Sequence, residues 1–182
     1  RGGSGKPLLA TVWNEGETSP RKSVLGKKMN TEQEIRVALT RTWHTFFARF
    51  PKLRMVQRAS ILPILSGAKI LLNAPTAAGK TEAIFAPLLE RLLRLSVPVQ
   101  ENPQLLIVAP TKALCNDLFR RLDYPFQRLG LLIDLKTGDA PFFNEKKPPF
   151  ALITTPEALD SMLSRGAIRL RYLRAVMIDE IH

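Results

Sequence analysis

The chain has 182 residues, 45% of them hydrophobic, which is enough for one globular domain with a buried core. Its formal net charge of +11 favours a polyanionic partner, nucleic acid before a membrane surface, and no apolar stretch is long enough to span a bilayer. The single cysteine, Cys115, excludes an intrachain disulfide and a zinc cluster of cysteines. We expect Cys115 to be buried on a helix and the protein to be cytoplasmic.

The first thirty residues hold scattered Gly, Ser, Pro, Lys and Arg with little apolar periodicity. They predict a mobile basic arm over 1–30, ahead of a domain over 31–182. A helix should begin at Thr31, because Thr31 and Glu34 have the spacing of a capping box. Apolar side chains then recur at helical spacing as far as Phe50, so the aromatic residues of this helix should face the core.

Beyond this helix the chain alternates short apolar strands with amphipathic helices. Strands are predicted at 69–73, 105–109, 131–135, 151–154 and 175–178, and helices at 55–65 (ending at Gly67), 80–95, 111–123 (ending before Pro125) and 156–163. Continuous apolar strands alternating with helices indicate an α/β fold, with a parallel sheet covered by helices on both faces. Ligands of such a sheet bind at the carboxyl ends of its strands.

A phosphate-binding loop is predicted over 73–81, between the first of these strands and its helix. The loop ends in Gly79, Lys80 and Thr81, the core of a P-loop. Successive loop amides and the helix N-terminus attract phosphate oxygens. Gly79 allows close backbone approach, Lys80 supplies a charge for the β- and γ-phosphates, and Thr81 offers a hydroxyl to Mg²⁺.

A second candidate site follows the last predicted strand, 175–178. Asp179 should emerge at the carboxyl end of the sheet, beside the loop of Lys80, where a carboxylate holds Mg²⁺ through its water shell. Glu180 is placed to orient or deprotonate an attacking water, and His182 to sense the state of the nucleotide. A strand end capped by solvated acids is the simpler reading, which the upstream P-loop disfavours.

Together, residues 74–81 and 179–182 resemble motifs I and II of superfamily 2 helicases of the DExH and DEAD type. Other elements of that family follow in its order: Gln57 resembles the adenine-reading glutamine of the Q motif, Pro110, Thr111 and Lys112 resemble motif Ia, Gly138 and Asp139 the Gly-Asp element, and Thr155, Pro156 and Glu157 motif Ib. The resemblance covers about residues 43–182 and is closest to the Lhr-like branch.

The resemblance implies a RecA-like P-loop NTPase domain that uses ATP and Mg²⁺. It implies that the nucleotide is bound by Gln57, Thr76, Ala77, Ala78, Gly79, Lys80 and Thr81, that Thr81 and Asp179 hold the metal, that Lys80, Asp179 and Glu180 are catalytic, and that His182 couples the site to movement. Single-stranded nucleic acid, DNA or RNA, would be tracked by Pro110, Thr111, Lys112, Gly138, Thr155, Pro156 and Glu157.

Capping chemistry supports the strand-tracking role. Thr111 and Thr155 are each placed to cap a helix, and Pro156 suits a first helical position. Two helix N-termini that face one groove hold two backbone phosphates without reading bases, and Lys112 adds charge. The alternative is that both threonines only cap their helices.

The sequence also departs from the family pattern. Ala74 stands where the first Gly of motif I is expected, and Ala77 stands where many helicases have Gly. Both departures matter for the shape of the loop, because alanine resists a positive φ. The resemblance stops after motif II, so the sheet is expected to be truncated there. The second RecA-like domain, which carries the arginine fingers, is absent from these residues.

These observations predict that the chain is part of a longer protein, an ATP-dependent helicase or translocase that hydrolyses ATP. The 182-residue piece by itself is expected to bind nucleotide but to hydrolyse it negligibly. Two alternatives remain open: a non-catalytic module that binds nucleotide or nucleic acid, and the motor part of a restriction or nuclease complex. A metabolic P-loop kinase is disfavoured, because it leaves Gln57 and motifs Ia and Ib unexplained.

Overall fold

The computed structural model describes residues 9–13, 21–24, 31–95, 103–138, 148–166 and 173–180. The chain forms two compact units, Arg1–Ser96 and Val97–His182. In the described part of the chain, no helix is both long and apolar enough to cross a membrane.

The first unit contains four helices among its described residues: α1 (Glu32–Ala38), α2 (Trp43–Phe46), α3 (Met55–Ser66) and α4 (Lys80–Arg94). The capping box at Thr31 and Glu34 is confirmed, with the Glu34 amide donating to the Thr31 hydroxyl over 3.2 Å. Helix α3 ends at Gly67, whose φ of +95° is the left-handed conformation that favours glycine.

The single helix predicted from Thr31 towards Phe50 is wrong, because the chain breaks between α1 and α2. Two backbone amides in the break, those of Arg41 and Thr42, donate to the buried carboxylate of Glu90 on α4 over 2.9 and 3.0 Å. These tertiary hydrogen bonds replace the helical ones. The aromatic side chains still face the core, except that Phe50 is 36% exposed.

The strands of the first unit form an antiparallel sheet in the order β2-β1-β3: β1 is Leu9–Trp13, β2 is Arg21–Val24 and β3 is Lys69–Asn73. Two expectations differ from this arrangement. Strands β1 and β2 lie within the stretch expected to be a mobile arm, and β3 pairs antiparallel with β1 although we assigned it to the parallel sheet. A strand edge offers a row of N–H and C=O groups with which an extended segment can pair, and β1 is the segment paired with β3.

The second unit carries four parallel strands and two helices among its described residues: β4 (Leu105–Val108), α5 (Lys112–Arg128), β5 (Ile133–Lys136), β6 (Ala151–Thr154), α6 (Pro156–Ser164) and β7 (Ala175–Ile178). The strand order is β5-β6-β4-β7. Each crossover helix joins parallel strands, and the two crossovers run in opposite directions along the sheet. Right-handed crossovers therefore place α5 and α6 on opposite faces.

The centre of this sheet is covered on both faces, since every residue of β4 and β6 is buried. On one face, Leu106, Val108 and Leu152 pack with Met162 of α6. A sheet buried on both faces is the α/β arrangement predicted from the continuous apolar strands, so this part of the fold prediction is confirmed.

Helix α5 extends further than the sequence predicted. Pro125 was expected to end it, yet α5 continues to Arg128 with Pro125 inside. A proline removes one backbone hydrogen bond from a helix. Here Leu122 and Phe126 on either side of it are fully buried, and the free energy of their burial offsets that loss.

Candidate functional site

The loop between β3 and α4 forms a tight turn followed by the helix N-terminus. The amide of Ala78 donates to the carbonyl of Pro75 over 3.2 Å, which closes the turn. Ala77, the third residue of this turn, has a φ of +61°, and Gly79 at the N-cap of α4 has a φ of +87°. Two positive φ angles within three residues give the loop the curvature that a phosphate cradle needs.

Lys80 is the first residue of α4, and its ammonium group points back over the loop. The Lys80 Nζ atom donates to the Ala74 carbonyl over 2.8 Å. The first intrahelical bond of α4 runs from the Ala83 amide to the Gly79 carbonyl over 3.1 Å, so the amides of the preceding turn have no acceptor within the helix. Positive charge and helix dipole therefore coincide at this end of α4.

The N-terminus of α3 holds the loop from one side. Gln57 is 3% exposed, and its side-chain Nε2 donates to the Gly79 carbonyl over 3.3 Å. Its Oε1 accepts from the backbone amide of Arg54 over 2.9 Å. The Arg54 guanidinium donates through Nη1 to the Ala77 carbonyl. Gln57 was predicted as a site residue; Arg54 was missed, because arginine at an N-cap position is not a recognised signal.

Position 79 favours glycine. A Cβ atom built there would lie 2.5 Å from Gln57 Nε2 and 3.3 Å from Arg54 Cδ. The positive φ adds a second reason, since a side chain resists that conformation. Below the loop, Ala74, Val56 and Ala83 form a buried cluster that fixes β3, α3 and α4 together.

In the second unit, the register of the parallel strands brings the predicted residues to one edge. Val108 is level with Thr154 of β6 and Ile178 of β7, and Lys136 of β5 is level with Thr154. The residues that follow these strands therefore lie at the same carboxyl edge, and neighbouring strands are about 4.8 Å apart. They include Pro110, Thr111, Gly138, Thr155 and Asp179.

Both predicted helix caps are confirmed. Thr111 accepts from the Leu114 amide over 3.2 Å at the start of α5, and Thr155 accepts from the Ala158 amide over 3.3 Å at the start of α6. Pro156 occupies the first position of α6 as predicted. Glu157 is exposed in the first turn of α6, where its charge complements the helix dipole.

Lys112 reaches the neighbouring motif element. Its Nζ atom lies 3.0 Å from the place where a Cβ atom at Gly138 would stand, and Gly138 has a φ of +70°. Motif Ia and the glycine of the Gly-Asp element are thus in direct proximity within this unit. Asp139 and His182, both named in the sequence analysis, lie outside the described residues.

The two acids predicted after β7 stand where the strand leaves the sheet. The Asp179 amide donates to the Val108 carbonyl over 2.8 Å, which extends the pairing with β4 by one residue. Asp179 Oδ1 accepts from the Glu180 amide over 3.1 Å, and Glu180 has a φ of +54°. Within the described residues, no group of three or more His, Cys, Asp and Glu could hold a metal ion unaided. A single carboxylate such as that of Asp179 nevertheless suits Mg²⁺, which usually keeps several waters.

Two buried titratable groups lie away from these positions. Burial raises the pKa of the Cys115 thiol, and its Sγ atom donates to the Ala109 carbonyl over 3.7 Å, so the predicted buried cysteine is confirmed.

Glu90 is fully buried on α4, which nothing in the sequence indicated. Burial alone would raise its pKa, but hydrogen bonds from Arg41, Thr40, Thr42 and Arg94 outweigh burial and lower it.

The fold and the Gly-Lys-Thr loop define an α/β domain of the RecA-like P-loop class. A model of the DEAD/DEAH box helicase family matches residues 54–182, and the chain therefore belongs to that family. It is 32% identical over 176 residues to the ATP-dependent helicase Lhr-Core of Methanothermobacter thermautotrophicus, across 86% of this chain and 20% of that protein. It is 36% identical over 165 residues to the Lhr helicase/probable uracil glycosylase of Mycolicibacterium smegmatis, across 80% of this chain and 11% of that protein.

A solved structure supports the fold independently. The RNA helicase Prp28 of Chaetomium thermophilum, bound to ADP, superposes with a TM-score of 0.65 at 20% identity, across 96% of this chain and 41% of that one. The predicted family and its RecA-like fold are thus confirmed. The chain spans about a fifth or less of the Lhr relatives it matches.

Proposed function

We propose that this chain is the ATP-binding part of a nucleic-acid helicase or translocase. The observation that carries the proposal is the loop over 74–81, with Lys80 at the N-terminus of α4 and the Gly79 carbonyl held by Gln57. Because a peptide group is planar and trans, a carbonyl held towards α3 directs the amide of the same peptide away from it. The Lys80 amide is thus turned outward, as a phosphate-binding loop requires.

ATP fits the chemistry of this loop. Its triphosphate would meet the helix dipole, the loop amides of Thr76, Ala77, Gly79, Lys80 and Thr81, and the ammonium group of Lys80. Lys80 would exchange the neutral Ala74 carbonyl for a phosphate oxygen, which is the stronger acceptor because it is charged. Gln57 is the proposed reader of adenine.

Asp179 and Glu180 are proposed for the chemistry of hydrolysis. Mg²⁺, when bound with ATP, would neutralise charge on the phosphates, and the Thr81 hydroxyl is the donor proposed for it at the phosphate loop. Asp179 is proposed as a carboxylate donor for Mg²⁺ on its own unit. Glu180 would orient a water and accept its proton on a carboxylate oxygen. His182 is proposed to couple this chemistry to movement.

Nucleic acid is proposed to lie along the carboxyl edge of the parallel sheet. The capped N-termini of α5 and α6, with Lys112 beside Gly138, would bind backbone phosphates of a single strand. Pro110 and Pro156 would fix where these two helices begin. Contacts of this kind carry no base information, so binding should tolerate any sequence.

A non-catalytic nucleotide-binding module is the second candidate. The observation that favours it is Ala77, which stands where many helicases have glycine and adopts a left-handed backbone at a cost of about 1–2 kcal/mol. ATP hydrolysis by a longer protein that includes this chain separates the two candidates.

Lys80→Ala tests the nucleotide site. Loss of a charge-assisted hydrogen bond should weaken ATP–Mg²⁺ binding about 10- to 100-fold, measured by titration calorimetry. Lys69→Ala is the matched control, since Lys69 is an exposed lysine at the opposite end of β3 and should leave affinity unchanged. Equal affinity of the Lys80→Ala and unmodified proteins would refute the proposed site.

A further inference from the structure

Ala77 carries an unusual backbone conformation for its residue type. Its φ of +61° lies in the left-handed region, and Glu180 is the other non-glycine residue of the described chain with a positive φ. A non-glycine residue there costs about 1–2 kcal/mol. Ala77 is also exposed, so burial of its methyl group does not offset this cost. Some other interaction must hold the turn over 75–78 in this shape.

The Arg54 side chain provides that interaction. Its guanidinium donates to the carbonyl of Ala77 itself, and its Cδ atom lies 3.3 Å from the place of a Cβ at Gly79. The backbone of Arg54 is fixed in turn, because its amide donates to Gln57 Oε1 over 2.9 Å. Arg54 and Gln57 thus hold two alternate carbonyls of the loop, those of Ala77 and Gly79.

The contact of Arg54 with the Ala77 carbonyl fixes the orientation of the peptide between Ala77 and Ala78. The Ala77 carbonyl and the Ala78 amide belong to one planar peptide, so holding the carbonyl fixes where that amide points. The Ala78 amide closes the turn onto the Pro75 carbonyl over 3.2 Å. Arg54 therefore stabilises the same peptide orientation that the turn requires and that the φ of Ala77 opposes.

We propose that Arg54 is a positioning residue that keeps the phosphate loop in its binding shape by offsetting the backbone strain at Ala77. The inference rests on the proposed nucleotide site and extends it to Arg54, a residue without a local sequence signal. It implies that the requirement for Arg54 depends on the residue at position 77. A glycine there adopts a positive φ without strain, so the Arg54 contact should then matter little.

A double-mutant cycle on the 182-residue chain tests this dependence, with ATP–Mg²⁺ affinity measured by titration calorimetry. Arg54→Ala alone should weaken binding about 5- to 30-fold, the affinity equivalent of the strain at Ala77. Ala77→Gly alone keeps the backbone amide proposed to face phosphate and should tighten binding, because glycine adopts a positive φ without strain. Arg54→Ala combined with Ala77→Gly should recover most of the lost affinity. Lys52→Ala, an exposed cation two residues before Arg54, is the matched control and should change nothing.

Each outcome has a distinct meaning. If the unmodified chain does not bind ATP, the proposed nucleotide site itself is wrong. If it binds and Arg54→Ala leaves affinity unchanged, or weakens it without rescue by Ala77→Gly, Arg54 does not act through Ala77 and the inference is overturned. Amide hydrogen exchange over 76–80 gives a readout without nucleotide: Arg54→Ala should speed exchange at Ala78, and Ala77→Gly should restore its protection.

Discussion

Gln57 uses both ends of its side-chain amide within the chain. Its Nε2 donates to the Gly79 carbonyl and its Oε1 accepts from the Arg54 amide, while the side chain is almost fully buried. An amide group still has one N–H and one lone pair to offer beyond these two bonds. Support of the loop and reading of adenine are therefore compatible in one residue.

Gln57→Ala should weaken ATP binding about tenfold, because the Arg54 amide loses its partner and the Gly79 carbonyl keeps only the Ala83 amide, both in a partly buried setting. The same change should narrow the difference in affinity between ATP and GTP, since a methyl group cannot distinguish the two bases. Competition titrations with both nucleotides measure the two effects. Gln33→Ala, an exposed glutamine on α1, serves as the control. An unchanged ATP-to-GTP ratio would assign Gln57 to loop support alone.

At the scale of elements, Glu90 joins α4 to the break between α1 and α2. One carboxylate oxygen accepts from the amides of Arg41 and Thr42, and the other accepts from the Thr40 hydroxyl over 3.0 Å and Arg94 Nε over 3.2 Å. A buried carboxylate with this many donors is stable as an anion. It holds the helix that begins at the phosphate loop to the N-terminal helices of the same unit.

Glu90→Gln should lower the free energy of unfolding by about 2–4 kcal/mol, since an NH₂ group would face donors it cannot accept from. Asp117→Asn, at an exposed ion pair with Arg121, should change it by less than about 0.5 kcal/mol. Denaturant titration of both variants measures the difference. Equal stability of Glu90→Gln and the unmodified chain would contradict the role of this carboxylate.

The lowered pKa of Glu90 also predicts that the stability of the fold depends on pH. The pKa of Glu90 is lowered in the folded state, so its contribution to stability is complete above the ordinary glutamate value of about 4.3 and is lost as pH falls through and below it. The difference in melting temperature between the unmodified chain and Glu90→Gln should shrink from about pH 6 to about pH 3. A constant difference over this range would exclude titration of Glu90.

Helix α5 offers a test of the nucleic-acid proposal. Lys112→Ala should lower the affinity for unrelated single strands alike and reduce the salt dependence of binding by about one unit of slope. Arg128→Ala is the matched control, an exposed cation at the other end of α5, about 24 Å away. Fluorescence anisotropy at several salt concentrations measures both. A sequence preference, or identical slopes for Lys112→Ala and the unmodified chain, would contradict phosphate binding at this edge.

For the whole molecule, the expected activity follows from the groups its residues supply. Phosphoryl transfer needs phosphate-holding groups, groups that manage metal and water, and cationic fingers that stabilise the transition state by about 10³–10⁵ in rate. The proposed site supplies groups of the first two kinds. Arginines such as Arg120, Arg121 and Arg174 match no arginine-finger motif. The 182-residue chain should therefore bind ATP and hydrolyse it negligibly, with or without nucleic acid.

A phosphate-release assay tests this expectation beside a protein extended to include a second RecA-like domain. The extended protein should turn over ATP, and Glu180→Gln in it should abolish turnover while ATP binding remains. Robust hydrolysis by the 182-residue chain, lost on Glu180→Gln, would show that its residues form a complete active site.

Local chemistry determined much of this protein from the sequence alone. The caps at Thr31, Thr111 and Thr155, the glycine at position 67 and the strand at 151–154 are set by residues a few positions apart, so spacing was sufficient to predict them. The family was also predictable, because its motifs are short, ordered runs of residues whose chemistry requires fixed spacing.

Contacts between distant residues were decided only by the tertiary structure. The helix break at 39–42 depends on Glu90 some fifty residues away, and the antiparallel partner of β3 comes from a stretch expected to be an unpaired arm. Pro125 remains inside α5 because burial of its neighbours outweighs one lost hydrogen bond. Arg54 carries no local signal, since its partner is a backbone carbonyl at Ala77 that any residue type could present. A hydrogen bond to backbone leaves no trace in the partner's side chain, so sequence could not reveal it.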